Sequence, residues 1–326
     1  MKKLLVLVVS FLSVAFLVSA VLSVGFGAGL DRVWAPQRSG EPVALAVALL
    51  LPAERDPFWD TLVEELRKAG EPQKYGFEIY RYASTASNLR ELLEKASLSR
   101  VDAILCLPPD SDDVSDVVNA AEARGVPVFL LENDLPNSKR RVFFGASPFQ
   151  MGNTVGRLIA QTMPNARRGG VLLSQTSLDR QTVRNSLFLN GLNEGGSRSA
   201  GELQWEESIS PPGRFAGEEL VWAFLREPNP PQILVTTNAK DTSGALQTIV
   251  EANRVGKTRL VGVGEDPGLR TALSQGLVAG LVTRDPGEWA GILFQNLDSS
   301  LHGGAVSSYV NLPVHALTPS GAFRGD

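Results

Sequence analysis

The chain has 326 residues, 43% of them hydrophobic, and a net charge of -4, which is length enough for two lobes and apolar side chain enough to fill their cores. The slight acidity excludes the basic face that a nucleic-acid partner demands. A single cysteine, Cys106, rules out an intrachain disulfide, and His302 and His315 stand far from other ligand types, so neither a metal site nor a cofactor is expected.

Met1-Lys2-Lys3 leads an uncharged apolar run from Leu4 to about Leu30. The run exceeds the roughly 7–15 residues of a signal-peptide core and reaches the roughly 20 residues that span a bilayer. Two lysines precede it and Asp31 then Arg32 follow, a bias that puts the amino terminus inside and the bulk of the chain outside. Residues 1–30 therefore read as a signal anchor or a signal peptide. The length favours an uncleaved membrane anchor, while small residues at Ser19-Ala20 and Gly27-Ala28-Gly29 leave cleavage open. No cysteine stands at the end of the run, so a lipoprotein anchor is not expected. Residues 31–42, broken by Pro36, Gly40 and Pro42, read as a linker.

From Val43 onward, apolar runs alternate with amphipathic windows. Strands are predicted over Val43–Leu51, Phe77–Tyr82, Ala103–Leu107, Val126–Leu131, Val142–Gly145, Gly170–Ser174, Gln232–Thr236, Arg259–Val263 and Leu277–Val282. Their continuous Val/Ile/Leu character is that of parallel strands buried on both faces. Helices are predicted over Phe58–Lys68, Leu89–Ser97, Val114–Arg124, Gln150–Thr162, Gln181–Leu192, Gly213–Leu225, Thr242–Ala252 and Glu288–Leu301; Val114, Val117, Val118 and Ala121 show the i, i+3, i+4, i+7 spacing. This alternation predicts an α/β fold of two doubly wound parallel-sheet lobes.

Ligands of open parallel sheets sit beyond the carboxyl ends of the strands. That rule selects Asp56, Phe58 and Trp59, then Asp110, then Glu132 and Asn133, then Asn238, Glu265 and Arg284. Asp56 before Pro57 also reads as a helix N-cap. Phe58 and Trp59 are neighbours on a helix and are not expected to share the sheet face, so at least one should project into a cleft and offer a flat ring to a sugar. The carboxylates, amides and guanidinium suit charge-assisted bonds to vicinal hydroxyls.

The segment from Pro42 to Pro319 resembles the type I periplasmic sugar-binding proteins, especially the ribose-binding branch. The resemblance is carried by Asp56-Pro57-Phe58-Trp59, Leu107-Pro108-Pro109-Asp110-Ser111, Gly125-Val126-Pro127-Val128 with Leu131-Glu132-Asn133, Gln150-Met151-Gly152, Thr237-Asn238-Ala239-Lys240-Asp241, Leu260-Val261-Gly262-Val263 and Ala279–Pro286. It implies a Venus-flytrap fold with crossings near Phe144–Ser147, Arg284–Pro286 and Pro313, one lobe comprising 43–145 plus 286–312 and the other 146–285 plus 313–326. It implies that Phe58 and Trp59 stack on the ligand, that Asn238 binds a hydroxyl, and that the helix carrying Arg184 supplies an arginine. Glu132-Asn133 stands where the family usually has Asp-Arg, Arg284 where ribose binders carry glutamine, and Gly264 where an aspartate is usual. The expected ligand is thus sugar-like or polyol-like with a different hydroxyl pattern, or bears an acidic group that faces Arg284.

Bacterial repressors of the same fold carry a basic helix-turn-helix where this chain has its apolar run. No GxSxG, P-loop lysine or HExxH pattern is present, so no enzyme is expected. Two binding roles stay open: the capture subunit of an ABC importer, paired with its permease, or a membrane-anchored sensor paired with a sensor-kinase ectodomain.

Overall fold

Alternate residues of the first strand, β1 (Leu45–Pro52), enter two different cores: Val47, Leu49 and Leu51 join one cluster, Ala48 and Leu50 another. This is the period-two geometry of a strand covered on both faces. The computed structural model describes residues 44–323 other than 55, 84–85, 110–113, 176–177, 198–202, 212–215 and 265. The apolar run 1–30 and the linker 31–42 lie outside the described residues, as do Asp110 and Glu265. Among the described residues no helix is long and apolar enough to cross a membrane.

The first sheet adds β2 (Tyr75–Tyr82), β3 (Ala103–Cys106), β4 (Val128–Leu131), β5 (Val142–Gly145) and β11 (Tyr309–Asn311) to β1 in the order β11-β5-β4-β3-β1-β2, all parallel. Helices α1 (Pro57–Gly70) and α9 (Pro286–Leu301) cover one face; α2 (Ala86–Leu98) and α3 (Ser115–Ala123) cover the other. Cys106 is buried in this sheet, and burial pushes its thiol far above the ordinary range, which keeps it neutral and unreactive.

The second sheet runs β13-β12-β10-β9-β8-β6-β7 and consists of β6 (Arg168–Ser174), β7 (Gln204–Ser210), β8 (Ile233–Thr236), β9 (Arg259–Val263), β10 (Gly280–Thr283), β12 (His315–Thr318) and β13 (Gly321–Ala322). Helices α4 (Pro148–Thr162) and α5 (Leu178–Gly196) pack on one face, and α6 (Ala216–Leu225), α7 (Ala239–Glu251) and α8 (Pro267–Ser274) on the other. This sheet is not purely parallel: β12 and β13 pair antiparallel at its edge. Neither they nor β7 carry the continuous apolar signature: β12 and β13 are short, and β7 is a largely exposed edge strand.

The chain passes between the sheets three times, from Gly145 to Pro148, from Thr283 to Pro286 and from Asn311 to His315. These crossings are stitched together. Leu312 N–H donates to Gly145 O at 3.0 Å, Ser147 N–H to Asn311 Oδ1 at 2.9 Å, and Trp289 Nε1–H to Pro313 O at 2.8 Å. Three helices begin at an Asp-Pro pair whose carboxylate accepts the free N–H groups of the first turn: Asp56 from Phe58, Asp266 from Gly268 and Asp285 from Glu288.

Helices α4 and α5 touch through their main chains. A Cβ added at Gly152 would lie 2.0 Å from Phe188 O, and one at Gly191 2.0 Å from Phe149 O; Gly156 and Gly195 meet Leu192 O and Asn153 O at 2.2 Å. Each helix thus offers two glycines four residues apart to the backbone of the other. Gly191→Ala should cost at least about 1–3 kcal/mol by overpacking. Gly291→Ala, on α9 with open space around it, should be neutral or stabilise by up to about 1 kcal/mol. Urea unfolding of the two variants checks both.

Candidate ligand-binding cleft

Because the strands are parallel, the polar residues that end them collect at one edge of each sheet. Those edges open onto a shared cleft of about 360 Å³. Asp56 and Glu132-Asn133 line it from the ends of β1 and β4; Ser174-Gln175, Thr237-Asn238 and Gly264 line it from β6, β8 and β9. Pro148 and Met151 contribute from α4, Arg184, Asn185 and Phe188 from α5, and Arg284 from the crossing after β10.

Phe58 and Trp59 do not project into this cleft. They are 3% and 7% exposed and belong to the core of the first lobe. Adjacent helical side chains are both buried here because α1 has two partners, the sheet on one side and α9 on the other. The Phe58 ring meets Trp59 and Trp289 edge-on, at 5.1 and 5.2 Å between centroids. Arg284 lies over this ring, with its Cζ 3.9 Å from the Phe58 centroid, 5.5 Å from that of Trp289 and 5.7 Å from that of Trp59. The aromatic pair stands behind the cleft wall and supports a guanidinium that forms part of it.

Arg284 Nη1 donates to Glu132 Oε1 at 3.1 Å, with both side chains largely withdrawn from solvent. The positive charge that Arg284 adds to the cleft is therefore paired within the protein. Glu132 has φ of +59°, a left-handed conformation rare outside glycine, and the turn is closed by Asn133 N–H donating to Leu131 O. Asn133 Nδ2 donates to Pro108 O at 2.9 Å, so this amide braces the loop as well as lining the cleft.

Asn238 is the N-cap of α7. Its Oδ1 accepts from Asp241 N–H at 2.7 Å, and its amide group donates to Asp241 Oδ2 and to Ser174 Oγ. Its donors are committed within the lobe, leaving an oxygen lone pair for the cleft. Arg184 lies on an exposed face of α5. Gly264 replaces a side chain for a packing reason: a Cβ there would lie 2.9 Å from both Ala239 Cβ and Leu269 Cδ1. Ser174, Gln175 and Thr237 answer the strand-end rule at β6 and β8 and were reachable from sequence. Asn185 and Trp289 were not, since only the packing of α5 and α9 places them.

The lining offers carboxylates, amides, hydroxyls and guanidinium groups, the mixture that grips a small molecule rich in hydroxyls. Among the described residues no cluster of three His, Cys, Asp or Glu could hold a metal ion. Residues 47–305 match the model of the periplasmic binding protein domain. The chain belongs to the periplasmic binding proteins. That membership makes it a binding protein rather than an enzyme and puts its work outside the cytoplasm. It is 22% identical over 290 residues to the ribose import binding protein RbsB of Bacillus subtilis, covering 86% of this chain and 90% of that protein. Its fold is similar to that of a periplasmic ribose ABC transporter protein from Conexibacter woesei, with a TM-score of 0.74 at 17% identity over 86% of this chain and 95% of the other. It is likewise similar to a chain of the XylFII-LytSN complex, with a TM-score of 0.69 at 16% identity over 86% and 100% of the two chains.

In this periplasmic binding protein, Asn238→Ala should lower stability by about 1–2 kcal/mol through loss of the helix cap. Trp59→Ala should lower it by about 3–5 kcal/mol through a core cavity. Denaturant unfolding without ligand checks both, and a drop for neither would contradict the structural roles given to them.

Proposed function

We propose that the protein captures a small polyhydroxylated ligand, a sugar or polyol, between its lobes for delivery to an ABC importer. The observation that carries this reading is the cleft, where strand tips of both sheets and the crossing residue Arg284 gather hydrogen-bonding side chains around one space. Residues 43–145 with 286–312 act as one jaw and 146–285 with 313–326 as the other. Asp56, Glu132, Asn133, Arg184, Asn238 and Arg284 contact the ligand, and contact with both jaws favours the closed form. The names of the Bacillus subtilis and Conexibacter woesei relatives, both of which specify ribose, support a sugar importer.

A second reading is a membrane-anchored sensor that reports ligand to a histidine kinase. It draws on the likeness to the XylFII-LytSN chain and on the long apolar run at residues 1–30, which would serve as the tether. Both readings use the same cleft.

Calorimetric titration with neutral pentoses, hexoses and inositol should give saturable binding to at least one of them. Arg184→Ala should weaken that binding by about tenfold or more, the expected loss for a charged hydrogen-bond partner. Absence of heat across the whole panel would overturn the sugar or polyol assignment.

A further inference from the structure

The position of Arg284 bears on which ligands the cleft accepts. Its guanidinium is stacked on Phe58 at 3.9 Å, flanked by Trp59 and Trp289, and bonded to Glu132 Oε1 at 3.1 Å. The side chains of Arg284 and Glu132 are only 15% and 28% exposed, so solvent screens the pair weakly. A ligand carboxylate bonded to Arg284 would lie beside the Glu132 carboxylate, setting two anions close together on a wall largely withdrawn from solvent. Asp56 is a second acid among the lining residues. A hydroxyl meets no such obstacle, because it can accept from an N–H of the guanidinium while donating to a Glu132 oxygen. Among the described lining residues the acids Asp56 and Glu132 are balanced by Arg184 and Arg284.

We propose that the Glu132–Arg284 pair sets the charge selectivity of the cleft, admitting neutral polyhydroxylated ligands and rejecting anionic ones. Phe58, Trp59 and Trp289 are positioning residues that hold the guanidinium against Glu132. The inference rests on the cleft being the ligand site, as proposed above. Of the two alternatives read from sequence, it selects a different hydroxyl pattern over an acidic group that faces Arg284.

The test is calorimetric titration of the full chain with matched pairs: D-ribose and D-ribonate, D-galactose and D-galacturonate, D-glucose and D-glucuronate. The parent should bind the neutral member of a pair about tenfold or more tighter than its acid. Glu132→Gln, which keeps shape and removes charge, should close that gap, lowering affinity for the neutral sugar and raising it for the acid. Phe58→Leu should shift the ratio in the same direction, while Phe58→Tyr, which keeps the ring, should preserve it. Equal or tighter binding of the acid by the parent, or an unchanged ratio in Glu132→Gln, overturns the inference alone. Equal weakening of both members by Phe58→Leu overturns the positioning role. Silence from every pair overturns the proposed ligand class and this inference with it.

Discussion

A cation lodged among aromatic rings needs a counter-charge within reach, and the meeting of Arg284 with Glu132 over the Phe58 ring satisfies that need. Four segments converge there. The start of α1 brings Phe58 and Trp59, the start of α9 brings Trp289, the turn after β4 brings Glu132, and the arginine itself leaves the last parallel strand of the second sheet. The left-handed backbone at Glu132 is a local cost that this arrangement sustains. The same helix start, through Trp289 Nε1–H and Pro313 O, is tied to the third crossing. The contact thus links the cleft wall to the connection between the lobes.

The rest of the cleft follows from parallel pairing. With both faces of each sheet covered, polar side chains find room at the strand tips, and the helices that follow begin at the same edge. Asp56 and Asn238 do two things at once: each accepts backbone N–H groups of a new helix and each borders the cleft. Capping fixes these side chains in place before any ligand arrives.

The central strands were legible because residues such as Ala103–Cys106 and Val128–Leu131 are buried throughout and say so in their composition. The strand-end rule then found Asp56, Glu132, Asn133, Asn238 and Arg284, all of which border the cleft. Sequence misjudged Phe58 and Trp59 because helical spacing describes one helix facing one surface, whereas α1 is wedged between a sheet and α9. It missed β7, whose residues Gln204–Ser210 are mostly polar and lie at an edge. It read a positive charge at Arg284 and had no means of seeing Glu132, 152 positions away, beside it. Long-range pairing of this kind leaves no local periodicity to detect.

The glycine contacts between α4 and α5 bear on how such a protein changes its taste for ligands. Where carbonyl oxygens of one helix rest on the Cα atoms of the next, no layer of side chains remains through which one helix could tilt against the other. Met151 on α4 and Arg184 and Asn185 on α5 are therefore mounted on a single stiff plate. Drift in specificity along this wall must proceed by exchanging the groups at its surface, because re-aiming the helices beneath them would drive the main chain of one into the main chain of the other.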